Sequence, residues 1–321
     1  AVLVDTPGGQ KLETVAESGL GVLRDPDRHV LVENAEEATE LPQKLIDQLH
    51  QPGVLFITKA DKRSTVHRPV HMDLIRVKRF DETGKVIGGW GFAGLFTSGA
   101  YTRNVRDIPI LRRKTQRVFE RSGFAPDSHT GRAFTNVLET YPRDELFQID
   151  EDALLENALA MMHLESRPRI RLLARRDIYE RFMSCLVFLP RDRYDSDLKI
   201  KAIEVLEQAF DGQVSLTYTS IGDSPLAKLQ AIVKTRPGHI PAYDLDEIER
   251  LLIEAARRWA DAFHDALIAY FPDHAATRLW QAYGDAFPGS YRERTAPETA
   301  VHDVEKLEML LADDPPDPDE R

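Results

Sequence analysis

The sequence predicts an α+β protein: two antiparallel-sheet modules, joined and followed by helical segments. Three observations carry that prediction. Met72–Phe80 and Lys85–Phe96 are β-rich runs joined by Asp81-Glu82-Thr83-Gly84, which reads as a hairpin with Gly84 at a positive φ. From Ile108 to His163 the apolar spacing changes to a helical period. Residues 168–236 then return to strands, in the order strand, strand, helix, strand, strand.

Taken in order, Gly21–Leu23 and His29–Val32 read as short strands around the Asp25-Pro26-Asp27 turn. Glu40–Gln51 carries Leu41, Leu45, Ile46 and Leu49 on one stripe, an amphipathic helix that Pro52-Gly53 ends. Val54–Lys59 is a strand, and residues 60–71 are a polar loop leading into the hairpin. The helical stretch divides into Ile108–Ser122 with Gly123 as its C-terminal cap, His129–Thr140 capped by Ser128 and ended by Pro142, and Glu151–Leu164 capped by Asp150. Ile170–Arg175 and Phe182–Leu189 are strands joined by Asp177–Glu180. The helix Ser196–Phe210 follows, then strands Val214–Ile221 and Leu226–Lys234. One long helix, Leu245–Tyr270, is expected to join Ser196–Phe210 on one face of a four-stranded antiparallel sheet. Ala275–Phe287 and Glu298–Ala312 complete the helical part. The corresponding divisions are 1–104 and 168–243 for the modules, 105–167 for a helical connector, 244–312 for a helical segment and 313–321 for an acidic, proline-rich linker.

Composition narrows the function classes. At 321 residues the chain has room for two domains, and its net charge of −11 argues against a general binder of nucleic acid or anionic membranes. No apolar run reaches membrane-spanning length, and Ala1–Leu20 has neither the basic start nor the apolar core of a signal peptide. The absence of an initial Met suggests a processed chain or a piece of a longer one. Cys185 is the single cysteine, so no intrachain disulfide or cysteine-cluster metal site can form, and a cytoplasmic location is expected. Cys185 itself reads as an inert core residue.

Gly89-Trp90-Gly91-Phe92-Ala93-Gly94 matches the dinucleotide-binding pattern letter for letter. Those glycines work only in a strand–turn–helix unit, where a helix N-terminus faces the pyrophosphate. Here Leu95-Phe96-Thr97 continues as strand, so the run is read as a glycine-punctuated strand that bends or is closely approached, and no cofactor is expected in this chain. His67 and His71 flank Pro69 in an extended segment, which separates their imidazoles and argues against a zinc site. The basic cluster Arg103, Arg106, Arg112, Arg113, Lys114, Arg117 and Arg121 reads as a solvated helix face, with the acidic run Asp144–Asp152 as an alternative partner. Arg103, Arg106, Arg112, Arg113, Arg143, Asp144 and Glu145 are the candidate contacts between domains or subunits. Spacing alone assembles no catalytic residues.

Several stretches resemble the very large NAD-dependent glutamate dehydrogenases of bacteria. They are STVHRPVHMDLIRVKRFDETGKVIG (Ser64–Gly88), LFTSGAYTRNVRDIPILRRK (Leu95–Lys114), LETYPRDELFQI (Leu138–Ile149), RFMSCLVFLPRDRYDSDLK (Arg181–Lys199), SPLAKLQAIV (Ser224–Val233) and DAFPGSYRE (Asp285–Glu293). The resemblance implies a piece of the N-terminal regulatory half, built from ACT-like and PAS-like modules with helical connectors. Residues 1–104 then look PAS-like or ACT-like, and 168–243 ACT-like. It implies that the parent deaminates L-glutamate to 2-oxoglutarate and ammonium with NAD. This region would be non-catalytic, regulatory and oligomerising, in contact with the downstream catalytic region, with other subunits of a homo-oligomer and with an amino-acid effector. The rival reading is a purely structural scaffold without ligand sensing. One departure supports the strand reading: Gly89–Gly94 occupies a position that is not glycine-rich elsewhere in the family.

Overall fold

The computed structural model describes residues 1–6, 9–13, 15–24, 41–292 and 294–313. The chain divides into two units, Ala1–Leu252 and Ile253–Arg321. In the first, strands β1 (Val2–Thr6) and β2 (Gly9–Glu13) precede helix α1 (Leu41–His50) and strands β3 (Leu55–Arg63), β4 (His71–Phe80) and β5 (Val86–Gly94). They form one antiparallel sheet in the order β2-β1-β5-β4-β3. The hairpin turn is built as its residues require: the Asp81 carboxylate accepts the N–H groups of Thr83 and Lys85, and Gly84 sits at φ 84°.

Gly89–Gly94 lies inside β5, paired residue by residue with Asp73–Lys78. The close approach occurs one residue earlier: Gly88 has φ 145°, and a Cβ there would lie 2.4 Å from the Ala1 carbonyl oxygen of the neighbouring strand. Three expectations are corrected here. Leu95–Thr97, expected to continue as strand, lies outside β5, which ends at Gly94, and the Phe96 N–H turns to the Asp73 carboxylate instead. Gly21–Leu23 is a 3₁₀ turn, and residues 60–63, expected in the loop, extend β3. The expected strand His29–Val32 lies outside the described residues.

The connector contains helices α2 (Ser98–Thr102), α3 (Pro109–Ser122), α4 (His129–Thr140), α5 (Arg143–Gln148) and α6 (Glu151–Ser166). Gly123 caps α3 at φ 72°, Ser128 accepts the Gly131 N–H, and Asp150 accepts the Ala153 N–H. Three helices were expected. The five residues of α2 and the six of α5 are too short for a periodic pattern, and Pro142 begins α5 as well as ending α4. Lys114 holds the end of α5, donating to the carbonyls of Leu146, Phe147 and Ile149 at 2.8, 3.1 and 2.6 Å. Burial, with Arg175 nearby, pulls its ammonium down to about 8.

The second sheet has strands β6 (Arg171–Arg176) and β7 (Phe182–Pro190), helix α7 (Ser196–Phe210), then β8 (Gln213–Ser220), β9 (Leu226–Lys234) and helix α8 (Leu245–Ala255). Its order is β6-β7-β9-β8, antiparallel throughout. Met183, Cys185, Val187 and Leu189 pair with Val233, Ala231, Leu229 and Ala227, and α7 packs against β8 and β9. The other face was expected to be open. Instead Leu173, Leu186, Phe188 and Leu226 enter the connector core with Leu111, Phe134 and Leu154. The missing polar–apolar alternation in Phe182–Leu189 is the signature of a strand covered on both faces. Glu249 of α8 closes the free edge of β6, accepting the Leu172 N–H at 2.9 Å and Arg171 at 3.0 Å.

The turn between β6 and β7 locks the second sheet to the first. Asp177 is buried and accepts the Thr58 hydroxyl at 2.6 Å and Arg181 Nε at 2.7 Å. Arg181 Nη2 donates to Thr58 Oγ1 at 3.0 Å and the Lys59 carbonyl at 2.8 Å. Tyr179 is fully buried between α1 and β4, its hydroxyl 3.4 Å from Gln48 Oε1 and 3.5 Å from Arg76 Nη1. Glu180 completes the turn at φ 53°.

The second unit holds α9 (Trp259–Tyr270), α10 (Asp273–Tyr283), α11 (Gly289–Arg292) and α12 (Pro297–Asp313). Phe263, Leu267, Ala276, Leu279, Val301 and Val304 form its core. The single helix expected over Leu245–Tyr270 is therefore two. The chain is extended at Arg258, whose N–H is taken by the Asp261 carboxylate at 3.2 Å, and Trp259 stacks on Phe263. No Gly or Pro announces that break. The helix expected over Ala275–Phe287 starts and stops earlier, between Pro272 and Gly284. Residues 314–321 of the expected linker lie outside the described residues.

Two outcomes follow for stability. Leu186→Ala removes a 2% exposed side chain from the connector core and should cost about 2–5 kcal/mol in urea unfolding. A loss below about 0.5 kcal/mol would contradict the two-faced burial of β7. Asp177→Ala should cost about 3–5 kcal/mol, because it leaves Arg181 buried without its carboxylate. Burial raises the Asp177 carboxyl, but Arg181 and the Arg181 and Thr58 hydrogen bonds outweigh it and hold the group below the carboxylate range. The folded pKa is thus depressed, so this contribution is full above the unfolded value of about 4 and fades as pH falls through the folded one. The gap between wild type and Asp177→Ala should be constant down to about pH 4 and narrow below it. A gap that widens on acidification would contradict the ion pair.

Candidate functional site

Within the first unit, a cavity of about 160 Å³ opens where the end of the β3–β4 hairpin, α2, α5 and the β8–β9 half of the second sheet meet. The locked β6–β7 turn positions it, since Arg181 and Phe182 form part of its wall. Polar groups enter from the first module and the connector. Lys59 reaches Asp73 at 2.6 Å and Asp144 at 3.0 Å, and the Tyr101 hydroxyl donates to the same Asp144 oxygen at 2.8 Å. Asp73 Oδ2 accepts the Phe96 N–H at 3.1 Å. Burial pushes the Asp73 carboxyl up although Lys59 opposes the shift, and burial and Asp144 push the Tyr101 phenol up. The second sheet supplies apolar groups, Phe182, Leu216 and Ile232, and Lys234, which pairs with Asp61 at 3.2 Å.

Below the cavity, Glu145 is 3% exposed and joins α5 to the second sheet. Its carboxylate pairs with Arg175 and accepts the Ser184 hydroxyl at 2.6 Å. This charge-assisted pair fixes the floor formed by Glu145 and Gln148.

The seven residues singled out from sequence are not gathered at one place. Asp144 and Glu145 line the cavity. Arg143 lies beside them, with Nη2 donating to the Arg103 carbonyl at 3.2 Å and Nη1 buried without a hydrogen-bond partner among the described residues. Arg106 pairs with Glu139 at 3.1 Å. It and Arg112 line a separate groove of about 630 Å³ between α3 and α4, while Arg113 is exposed. Of the wider basic cluster, Arg117 pairs with Glu151 and Arg121 with Asp152, so these two meet the acidic run named from sequence. Cys185 is fully buried, and burial raises its thiol further. His71 Nδ1 lies 3.1 Å from the Ala60 carbonyl, and no group of potential metal ligands occurs among the described residues.

Sequence reasoning passed over Arg68, Thr58, Asp177, Tyr179, Arg181 and Lys234. The one available signal was composition: Asp-Ile-Tyr-Glu-Arg puts a large aromatic and two acids in a tight turn, where small residues are usual. Among the described residues, no helix is long and apolar enough to cross a membrane.

Comparison with known proteins fits this architecture. Residues 108–167 match the family description glutamate dehydrogenase, helical motif 1, and residues 171–260 match glutamate dehydrogenase, ACT2 domain. Residues 266–310 match glutamate dehydrogenase, helical motif 2. The NAD-specific glutamate dehydrogenase of Halomonas elongata is 36% identical over 304 residues, 94% of this chain and 19% of that protein. That of Pseudomonas aeruginosa is 36% identical over 262 residues, 82% of this chain and 16% of its own length. That of Mycobacterium tuberculosis is 31% identical over 235 residues, 69% of this chain and 14% of its own. The chain thus spans less than a fifth of the curated relatives it matches. With both helical motifs, the ACT2 domain and these relatives in agreement, the chain belongs to the NAD-specific glutamate dehydrogenase family.

Proposed function

We propose that this region is the regulatory and subunit-contacting part of an NAD-dependent glutamate dehydrogenase. The rest of the polypeptide carries the chemistry: L-glutamate is oxidised to 2-oxoglutarate and ammonium, and NAD takes the hydride. The observation that carries the reading is an ACT2 match on a sheet whose β6–β7 turn is locked into the preceding module. A sheet held in this way passes a displacement on to its neighbours as a body rather than absorbing it. The names of the relatives support NAD as the parent's cofactor. The antiparallel sheet of residues 1–94, with α1 packed on it, supports a PAS-like reading of the first module.

In this account the region works in the cytoplasm within a homo-oligomer, and a small-molecule effector acts through different affinities for two states of the assembly. The test has two parts. The 321-residue chain alone should give no glutamate-dependent NADH formation at substrate concentrations that saturate a dehydrogenase. The whole enzyme lacking this region should lose its oligomeric state in light scattering or its response to amino acids in steady-state kinetics. Turnover by the isolated chain, or a truncated enzyme that keeps both its assembly and its response, would overturn the proposal.

A further inference from the structure

Strand β4 carries two cations on one face for which the described residues supply no carboxylate. Arg76 and Lys78 are two positions apart, so their side chains leave the same face of the sheet. Both are buried, at 8% and 7% exposure. Lys78 is held by other means: its ammonium donates to the Gln51 carbonyl just past α1 and lies 5.1 Å from the centre of the Phe56 ring. Arg76 has far less. Its one hydrogen bond among the described residues runs from Nη1 to the Tyr179 hydroxyl at 3.5 Å, near the outer limit for such a contact.

The same hydroxyl donates to Gln48 Oε1 at 3.4 Å, and the Nε2 of Gln48, a residue 1% exposed, has no hydrogen-bond partner among the described residues. Arg76, Tyr179 and Gln48 therefore form a buried cluster with more donors than acceptors. Asp177, the carboxylate of the same turn as Tyr179, does not make up the difference. Its Oδ1 is taken by Thr58 and Arg181, and its Oδ2 by Arg181 Nε and the Tyr179 N–H. Water would satisfy the amide but leave the guanidinium charge without a counter-ion.

The sheet leaves room beside Arg76. Arg76 is paired directly with Gly91 of β5, and directly opposed residues of an antiparallel pair share a face. Gly91 is exposed, and a Cβ there would meet nothing within 4 Å. Neither a positive φ nor a close neighbour calls for glycine at this position, and its missing side chain leaves open space next to Arg76. We propose that a phosphate dianion binds in this space on the edge of the Arg76 guanidinium and balances Arg76 and Lys78 together. Two cations call for two negative charges, which phosphate carries above neutral pH and a single carboxylate does not. None of these residues lines the cavity at Lys59 and Asp144, and the assignment does not rest on the regulatory reading.

Isothermal titration calorimetry of the 321-residue chain with sodium phosphate, at constant ionic strength in weakly alkaline buffer, tests it. Phosphate should bind saturably with Kd below about 1 mM, and acetate about tenfold or more weakly. Two variants separate lost binding from lost folding. Gly91→Val fills the open space with a strand-forming side chain, so it should keep the wild-type thermal midpoint in phosphate-free buffer and bind phosphate about tenfold or more weakly. Arg76→Met keeps the length of the side chain and removes its charge. It should abolish saturable binding without lowering that midpoint, because no carboxylate is left unpaired. No saturable heat up to about 10 mM phosphate, equal binding of acetate, or phosphate binding unchanged in folded Gly91→Val or Arg76→Met would each overturn the assignment.

Discussion

The buried ion pair between Asp177 and Arg181, closed through Thr58, is the constraint on which the first unit depends. Both charges are almost completely removed from water, with Asp177 1% and Arg181 5% exposed. Such a pair is tolerable only if nearly every donor and acceptor is satisfied. Here Thr58 both donates to Asp177 and accepts from Arg181, and the Lys59 carbonyl takes a further guanidinium proton. Those partners lie on β3, so the pair can be satisfied only when the second sheet docks on the first. Folding and docking are thereby one requirement, and Tyr179, fully buried beside Gln48 and Arg76, adds apolar burial to the same contact.

The connector follows from that arrangement. With the two sheets locked at one end, the helices between them must fill the remaining space and cover the exposed face of β7. They do so with one continuous core that runs from Ile57 of the first sheet through Leu111, Phe134 and Leu154 to Leu186 and Phe188. Polar anchors hold the connector in register. Glu145 meets Arg175 and Ser184 on the second sheet, Asp144 meets Lys59 on the first, and Lys114 satisfies three carbonyls at the end of α5. The cavity is the space left where these anchors converge. Its walls come from the first sheet, the connector helices and the second sheet, which is the physical condition for a ligand there to bias their mutual arrangement.

Much of this fold was legible in the amino-acid sequence because it is written locally. The Asp81–Gly84 turn, the caps at Ser128 and Asp150, the αL stop at Gly123 and the helix Ser196–Phe210 all depend on residues a few positions apart. The dinucleotide pattern fails in the structure because Gly89–Gly94 lies within β5, paired with β4, rather than in the turn after a strand. The elements missed had no local signal: α5 is one and a half turns long, and the break before Trp259 carries neither Gly nor Pro. The site was less legible still. Asp177 and Thr58 are 119 positions apart, so no spacing rule connects them. Asp144 and Glu145 stood out only as part of an acidic run, whereas their roles depend on Lys59, Tyr101, Arg175 and Ser184, which the fold alone brings together.

The account's central claim is that Thr58 and Arg181 act as one unit joining the two sheets, and a double-mutant cycle measures that directly. Thr58→Val and Arg181→Met are combined, and urea unfolding is followed for the wild type, both single variants and the double variant. Residues that share a buried network show coupling of about 0.5–3 kcal/mol, so the double variant should be more stable than the sum of the single losses predicts. Losses that add to within about 0.3 kcal/mol would mean that the sheets are held independently of this pair, and would contradict the account.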